Sequence, residues 1–310
     1  MLTALYFISG LVLLYYGADF LVKGGASIAL KLKVSPLVIG LTLVAYGTSA
    51  PELVVSIDAA LKGLGDVSLG NIVGSNICNI ALILGLCALI TPLRVNPKLL
   101  KFDIGIMIAA AAILVGFYAL NSGVNRCEAA FFLTGAVSYT LWSFLASRKE
   151  PDAEQEDVPK VQYSIWISAL MVIGGLAALV GGAKLFVNSA VAIAQWCGVS
   201  NAVIGLTVVA VGTSLPELAT SVVAAIKKEQ DIAIGNVVGS NIFNILAILG
   251  IAPLISPIET LGISYVDMIL MLCISILLYP MMKTGLKISR KEGAVLLAVY
   301  IAYTVYLIIK

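Results

Sequence analysis

Two long motifs in this chain occur twice, 165 residues apart, and the unit that repeats holds an odd number of membrane-length apolar runs. GLTLVAYGTSAPELVVS begins at Gly40 and GLTVVAVGTSLPELATS at Gly205; GNIVGSNICNIALILG begins at Gly70 and GNVVGSNIFNILAILG at Gly235. Weaker echoes widen the match: Gly17-Ala18 with Gly182-Ala183, Val34-Ser35 with Val199-Ser200, Pro92 with Pro257 and, one residue short, Arg126-x-Glu128 with Arg290-x-Glu292. Apolar runs fall at about 2–22, 35–61, 67–91, 102–121, 127–146, 164–190, 201–226, 232–255, 264–282 and 293–309, five to each copy. Each is near the ~20 residues a helix needs to cross a bilayer, and well beyond the ~10-residue alternating strands of a membrane barrel. Of 310 residues 60% are hydrophobic and 12% charged, whereas a soluble domain keeps about a quarter charged. The reading is an all-α integral membrane protein of ten transmembrane helices. Five is odd, so the second copy enters from the opposite face. The result is two inverted-topology five-helix repeats, an arrangement shared by many secondary transporters.

Positive charge orients this array. Fifteen of the nineteen lysines and arginines fall in the odd-numbered connections; the even side has Lys62, Arg126 and the terminal Lys310, and Lys184 lies within span six. The positive-inside rule places the odd connections in the cytoplasm and both termini outside. The first run reads as a span and not as a signal peptide, for it lacks a basic leader and a small-residue cleavage site. The division expected is 1–146 for the first repeat, a cytoplasmic linker at 147–163 and 164–310 for the second. The linker's core, SRKEPDAEQEDVPKVQ, is polar and too short to fold alone. With no histidine, Ser-His and Cys-His catalysis and His-type metal sites are excluded. Cys78, Cys87, Cys127, Cys197 and Cys273 sit singly in apolar runs and read as small buried hydrophobes, not as disulfides or metal ligands. No basic tract suits a nucleic acid.

Five ionisable residues lie inside apolar runs: Asp19, Glu52, Asp58, Lys184 and Glu217. A charge near mid-bilayer costs at least ~2.5–3.5 kcal/mol, so each needs a partner or a purpose. The duplication sorts them. Asp19 corresponds to Lys184 and Asp58 to Val223, and a plain reading suits these three: snorkelling, a neighbouring helix, or a wet loop end. Only Glu52 and Glu217 recur. Each follows proline in G-T-S-x-P-E, which frees the carbonyls of Gly47 and Gly212, and such carbonyls persist in a membrane only where protein or water covers them. On a continuous helix, Thr48 and Ser49 share the face of Glu52, and Thr213 and Ser214 that of Glu217. A simple kink with hydroxyls capping backbone accounts for one such copy better than for two. In the next spans Gly70-x₃-Gly74 and Gly235-x₃-Gly239 suit close helix packing. Ser75 and Asn79 share a face there, as do Ser240 and Asn244. Interhelical hydrogen bonding and ion ligation are equal readings for these four, until their place beside the glutamate helices favours ligation. An all-oxygen inventory suits hard cations. Two carboxylates supply −2, which one Ca²⁺, two monovalent cations or two protons neutralise; a third Na⁺ on neutral oxygens leaves +1.

At these residues the chain resembles the sodium/calcium exchanger family of the cation/Ca²⁺ exchanger superfamily, in its prokaryotic form without regulatory domains. G-T-S-x-P-E and G-S-N-I-x-N, each present twice, look like that family's two α-repeats. The resemblance implies helices two, three, seven and eight at the centre, and a buried cluster of one Ca²⁺ and several Na⁺ sites with alternating access. It implies Glu52 and Glu217 as the Ca²⁺ carboxylates, joined by Thr48, Ser49, Ser75, Asn79, Thr213, Ser214, Ser240 and Asn244, with backbone carbonyls from Ala45 and Ala210. Some members carry aspartate where this chain has Asn79 or Asn244, so a third acid is missing here, which argues against potassium coupling. The function expected is electrogenic Ca²⁺ extrusion against Na⁺ by a multi-pass plasma-membrane antiporter that acts as a monomer in lipid and is not an enzyme. Its ions are cargo, and no resident cofactor is expected. Helices one and six would move against the core, with Gly24-Gly25 and Gly181-Gly182 as hinge turns. Ca²⁺/H⁺ antiport on the same carboxylates is the alternative, followed by a cation channel, which inverted halves argue against. An intramembrane hydrolase using Ser49 and Glu52 is disfavoured by the doubled site.

Overall fold

The computed structural model of the chain describes residues 2–147, 163–197, 210–260 and 262–309. The expected linker therefore lies largely outside the described residues, as do the start of the seventh apolar run and the Val199-Ser200 echo. What is described is helical apart from four two-residue strands. Eight helices are long and apolar enough to cross a membrane, a bent pair makes a ninth, and a further apolar helix of 12 residues covers Leu215–Ile226.

Helix α1 (Leu2–Leu32) ends where Lys33 takes a left-handed φ of 53° and the Val34 amide bonds back to Ala29 O. Ser35 caps the next helix by accepting from the Val38 amide, with Pro36 at its first position. That helix, α2 (Pro36–Thr48), meets α3 (Ala50–Leu61) at a 46° bend. The bend sits where the sequence puts Pro51 two residues after Ser49, whose φ/ψ of −84°/9° leaves the helical range. In α8 (Leu215–Ile226), numbering with the spans that follow, Ser214 has the same break at −86°/8°. Between them come α4 (Gly65–Ile90), α5 (Leu99–Asn121), α6 (Arg126–Ser147) and α7 (Ile165–Trp196). After α8 come α9 (Gln230–Ile255), α10 (Tyr265–Lys283) and α11 (Arg290–Ile309).

Helices α4 and α9 form the centre, 78% and 83% buried against 11% for α11. Both turn from α-helical to π-helical winding midway, at Cys78–Leu84 and Asn244–Ile248, and α2 does so at Gly40–Val44. Close backbone approach fixes α9 on α2: a Cβ on Gly239 would lie 2.4 Å from Leu41 O, one on Gly235 2.9 Å from Leu37 O, and one on Gly40 3.0 Å from Ile232 O.

Helices α1 and α7 run antiparallel along one another at the edge. Their seam is glycine: Gly10, Gly17 and Gly24, seven apart, meet Phe186 and Gly182, Gly175, and Ser168 in turn. A seven-residue repeat is the spacing of a left-handed crossing. Here the structure corrects the hinge expectation. Gly24-Gly25 and Gly181-Gly182 lie within uninterrupted helices of 31 and 32 residues, and Gly24 and Gly182 are contact points of the seam. At ~1.5 Å per residue both helices outrun a ~30 Å hydrocarbon core. Asp19 does meet a neighbouring helix: it pairs with Lys23 at 2.8 Å and with Lys227 at the end of α8. Asp58 pairs with Lys62 in the open, at 2.6 Å. The structure corrects the cysteine reading: Cys78 and Cys87 are buried in α4, whereas Cys127, Cys197 and Cys273, on α6, at the end of α7 and on α10, are exposed, because apolar residues of peripheral membrane helices can face outward as well as inward.

Strands β1 (Leu93–Arg94) and β4 (Lys287–Ile288) pair antiparallel, as do β2 (Gly123–Val124) and β3 (Ile258–Glu259). Each ladder joins the first half of the chain to the second.

Candidate cation-binding site

The two motif glutamates are buried, 0% and 1% exposed, and neither takes part in the ion pairs of the described residues. Each is at the first turn of a helix that restarts after the break at Ser49 or Ser214. Helix N-termini present unbonded amides, which favour a carboxylate there.

The break also decides where the hydroxyls point. A continuous helix would aim Ser49 at Glu52. Instead Ser49 Oγ donates to Glu217 Oε1 at 2.8 Å, and Ser214 Oγ reaches Glu52 Oε1 at 3.2 Å. Thr48 likewise lies within reach of Glu217, and Thr213 of Glu52. Each half thus supplies the hydroxyls for the other half's carboxylate, and the two glutamates are close enough to interact electrostatically. Ser214 Oγ also meets Ser75 Oγ at 3.3 Å, which ties α4 into the cluster. Asn79 and Asn244 lie one turn beyond Ser75 and Ser240, where α4 and α9 change to π winding. A π turn widens the helix by one residue and recurs at functional sites.

Among the described residues, buried side-chain oxygens without a hydrogen-bond partner gather at this site: Glu52 Oε2, Glu217 Oε2, Asn79 Oδ1, Asn244 Oδ1 and Ser240 Oγ. Buried polar atoms are bonded in the great majority of cases, so five orphans in one place make this the candidate ligand position. Two backbone ligands were expected as well. The Ala45 carbonyl accepts from the Ser49 amide at 3.0 Å and from Thr48 Oγ1 at 3.3 Å, while Ala210 opens the short helix Ala210–Gly212 leading into Ser214.

Four asparagines outside the expected ligand set also belong to the site. Asn71 Nδ2 donates to Glu52 O at 3.2 Å and to Ser56 Oγ at 2.9 Å; Asn236 Nδ2 repeats this with Glu217 O at 3.3 Å and Ser221 Oγ at 2.9 Å. These clamps fix the backbone that carries each carboxylate, and Asn236 Oδ1 accepts from Thr48 as well. Asn76 and Asn241 accept from the two candidate ligand asparagines, Asn244 donating to Asn76 and Asn79 to Asn241, both at 3.0 Å. The signal was present: all four recur at the 165-residue offset, and Asn71 stands four residues before Ser75 on the same face.

Comparison with known proteins finds relatives over almost the whole chain. The sodium/calcium exchanger protein family profile matches residues 2–145 and 167–309. A putative antiporter, CaxA, of Alkalimonas amylolytica is 39% identical over 98% of both chains. The sodium/calcium exchanger MaX1 of Methanosarcina acetivorans is 35% identical over 96% of each. Among solved structures, the sodium-calcium exchanger NCX_Mj superposes with a TM-score of 0.86 at 35% identity, covering 99% of each chain.

Proposed function

The chain belongs to the sodium/calcium exchanger family, a family of multi-pass membrane antiporters, and on that premise we propose that it exchanges Ca²⁺ for Na⁺ at the paired glutamates. The observation that carries this reading is the kind of oxygen left unbonded. A proton could satisfy Glu52 Oε2 and Glu217 Oε2, and Ca²⁺/H⁺ exchange draws its support from those two atoms. An amide oxygen is too weak a base to hold a proton, and Asn79 Oδ1 and Asn244 Oδ1 are orphaned too. Metal cations serve all five positions. Carboxylate, hydroxyl and amide oxygens without nitrogen or sulfur suit Ca²⁺ and Na⁺.

Competition for shared oxygens makes this exchange. One Ca²⁺ neutralises Glu52 and Glu217; Na⁺ ions on the same atoms displace it, and a third on neutral oxygens makes the cycle electrogenic. The fold reading goes with it: ten helices in two inverted five-helix repeats with both termini outside, acting as a monomer in the plasma membrane and moving Ca²⁺ outward. Two features support that topology. In the ten-span count β1 and β4 lie in connections three and nine, and β2 and β3 in four and eight, so each ladder joins connections assigned to one face. The α1–α7 pair, spans one and six, is antiparallel, as inverted copies require.

The test uses purified protein in vesicles loaded with Na⁺, diluted into Na⁺-free buffer with labelled Ca²⁺, the pH clamped and the potential set by an ionophore. The expected result is uptake that needs internal Na⁺ and responds to potential. Uptake driven by a pH gradient and indifferent to Na⁺ would replace this reading with Ca²⁺/H⁺ exchange.

A further inference from the structure

An asparagine is a cation ligand only when its oxygen, and not its NH₂, faces the ion, so something must fix which end points inward. The bond from Asn79 Nδ2 to Asn241 Oδ1 cannot do so alone. If both amides turned over, Asn241 would donate to Asn79 just as well, and Asn79 would present its NH₂ to the cations. The same holds for Asn244 and Asn76.

The next partner breaks the tie. Asn241 Nδ2 donates to Met107 Sδ on α5, and Asn76 Nδ2 to Met271 Sδ on α10, both at 3.7 Å. A thioether accepts weakly and has no proton to give, so a turned-over amide would set oxygen against sulfur. Both methionines are buried, 1% and 0% exposed. The arrangement occurs in both halves. We propose that Met107 and Met271 are positioning residues of the cation site: each sulfur orients one asparagine, Asn241 or Asn76, which then holds the ligand amide of Asn79 or Asn244 with its oxygen inward. This rests on the exchange reading above and deepens it.

The two relays are unequal. Asn241 Nδ2 also meets the backbone oxygen of Asn76 at 3.5 Å, which orients it in the same sense. Asn76 has the sulfur of Met271, so Met271 carries more of the work.

The experiment compares Met271→Leu and Met107→Leu, near-isosteric changes that cores tolerate. It reads Ca²⁺ affinity by calorimetric titration of the purified protein and KM and Vmax of Na⁺-driven Ca²⁺ uptake in vesicles. Met271→Leu is expected to weaken Ca²⁺ binding and raise KM about three- to tenfold, the scale of one weak hydrogen bond, with Vmax within about twofold. Met107→Leu should do less. In an Asn244→Asp background, where either carboxylate oxygen can face the ion, Met271→Leu should have no further effect. The proposal is overturned by unchanged affinity in Met271→Leu, by a fall in Vmax at constant KM, or by the same loss persisting with Asn244→Asp. Wild-type protein that binds Ca²⁺ without Na⁺-driven uptake strikes the exchange reading instead, and the titrations still decide the relay.

Discussion

Two buried carboxylates without a basic partner among the described residues leave this protein two ways to be stable: take up protons or take up cations. Isolated buried charges cost several kcal/mol each even after relaxation. Removing one charge unbalances the site for a divalent ion, so Glu52→Gln and Glu217→Gln are each expected to abolish Ca²⁺ exchange in reconstituted vesicles; retention in both would remove the site from consideration. The hydroxyls act at a finer level. Ser49→Ala deletes the donor to Glu217 Oε1, a bond to a charged group of about 1.5–3 kcal/mol. Apparent Ca²⁺ KM should rise tenfold or more, and a change under twofold would show that Ser49 only fills space. The glutamates and their neighbours were legible in sequence because a mid-span acid is costly and these two recur. The crosswise pairing was not. Helical-face arithmetic assumes an unbroken helix, and the turn at Ser49 hands its hydroxyl to the other half.

Elements put those residues in place through backbone contact more than through side-chain bulk. The approach of α9 to α2 leaves no room at Gly239, where a methyl group would meet Leu41 O at 2.4 Å, a backbone atom that cannot rotate away. Gly239→Ala is therefore expected to cost about 1–3 kcal/mol or more, seen as a lower melting temperature or loss of monodisperse protein. Gly116→Ala in α5, with no described atom within 4 Å of the added Cβ, should hold or raise the melting temperature, since alanine favours helix over glycine by about 1 kcal/mol. Equal behaviour of the two would deny the close approach. The second GxxxG pair announced this contact in the sequence. The glycines of α1 and α7 misled: adjacent pairs suggested flexible turns, whereas the informative spacing was seven, through Gly10, Gly17 and Gly24. The π turns carrying Asn79 and Asn244 had no sequence signature, because they arise from packing and not from local residue preference.

At the scale of the whole molecule the chain has two bodies, the α1–α7 pair and the bundle around α4 and α9. The pair is knitted internally by its glycine seam and by Ser168 Oγ donating to Ser27 Oγ at 2.8 Å. Its hold on the core is partly electrostatic: Lys23 of α1 and Lys227, just past α8, converge on Asp19. An ionic contact between bodies can break and reform where interdigitated backbones cannot, so alternating access predicts motion between the bodies and not within the pair. Two reversible links separate these cases once the exposed Cys127, Cys197 and Cys273 are replaced. A disulfide from Ser27→Cys with Ser168→Cys stays inside the pair and should spare exchange. A short bis-methanethiosulfonate bridge between Lys23→Cys and Lys227→Cys spans the two bodies, leaves Asp19 in place, and should stop Ca²⁺ uptake until a reductant cleaves it. Exchange that survives the second link would mean that the pair and the core move as one, and the opening of the Glu52–Glu217 site would then have to come from bending at the Ser49 and Ser214 breaks, where the backbone leaves helical geometry beside the two glutamates.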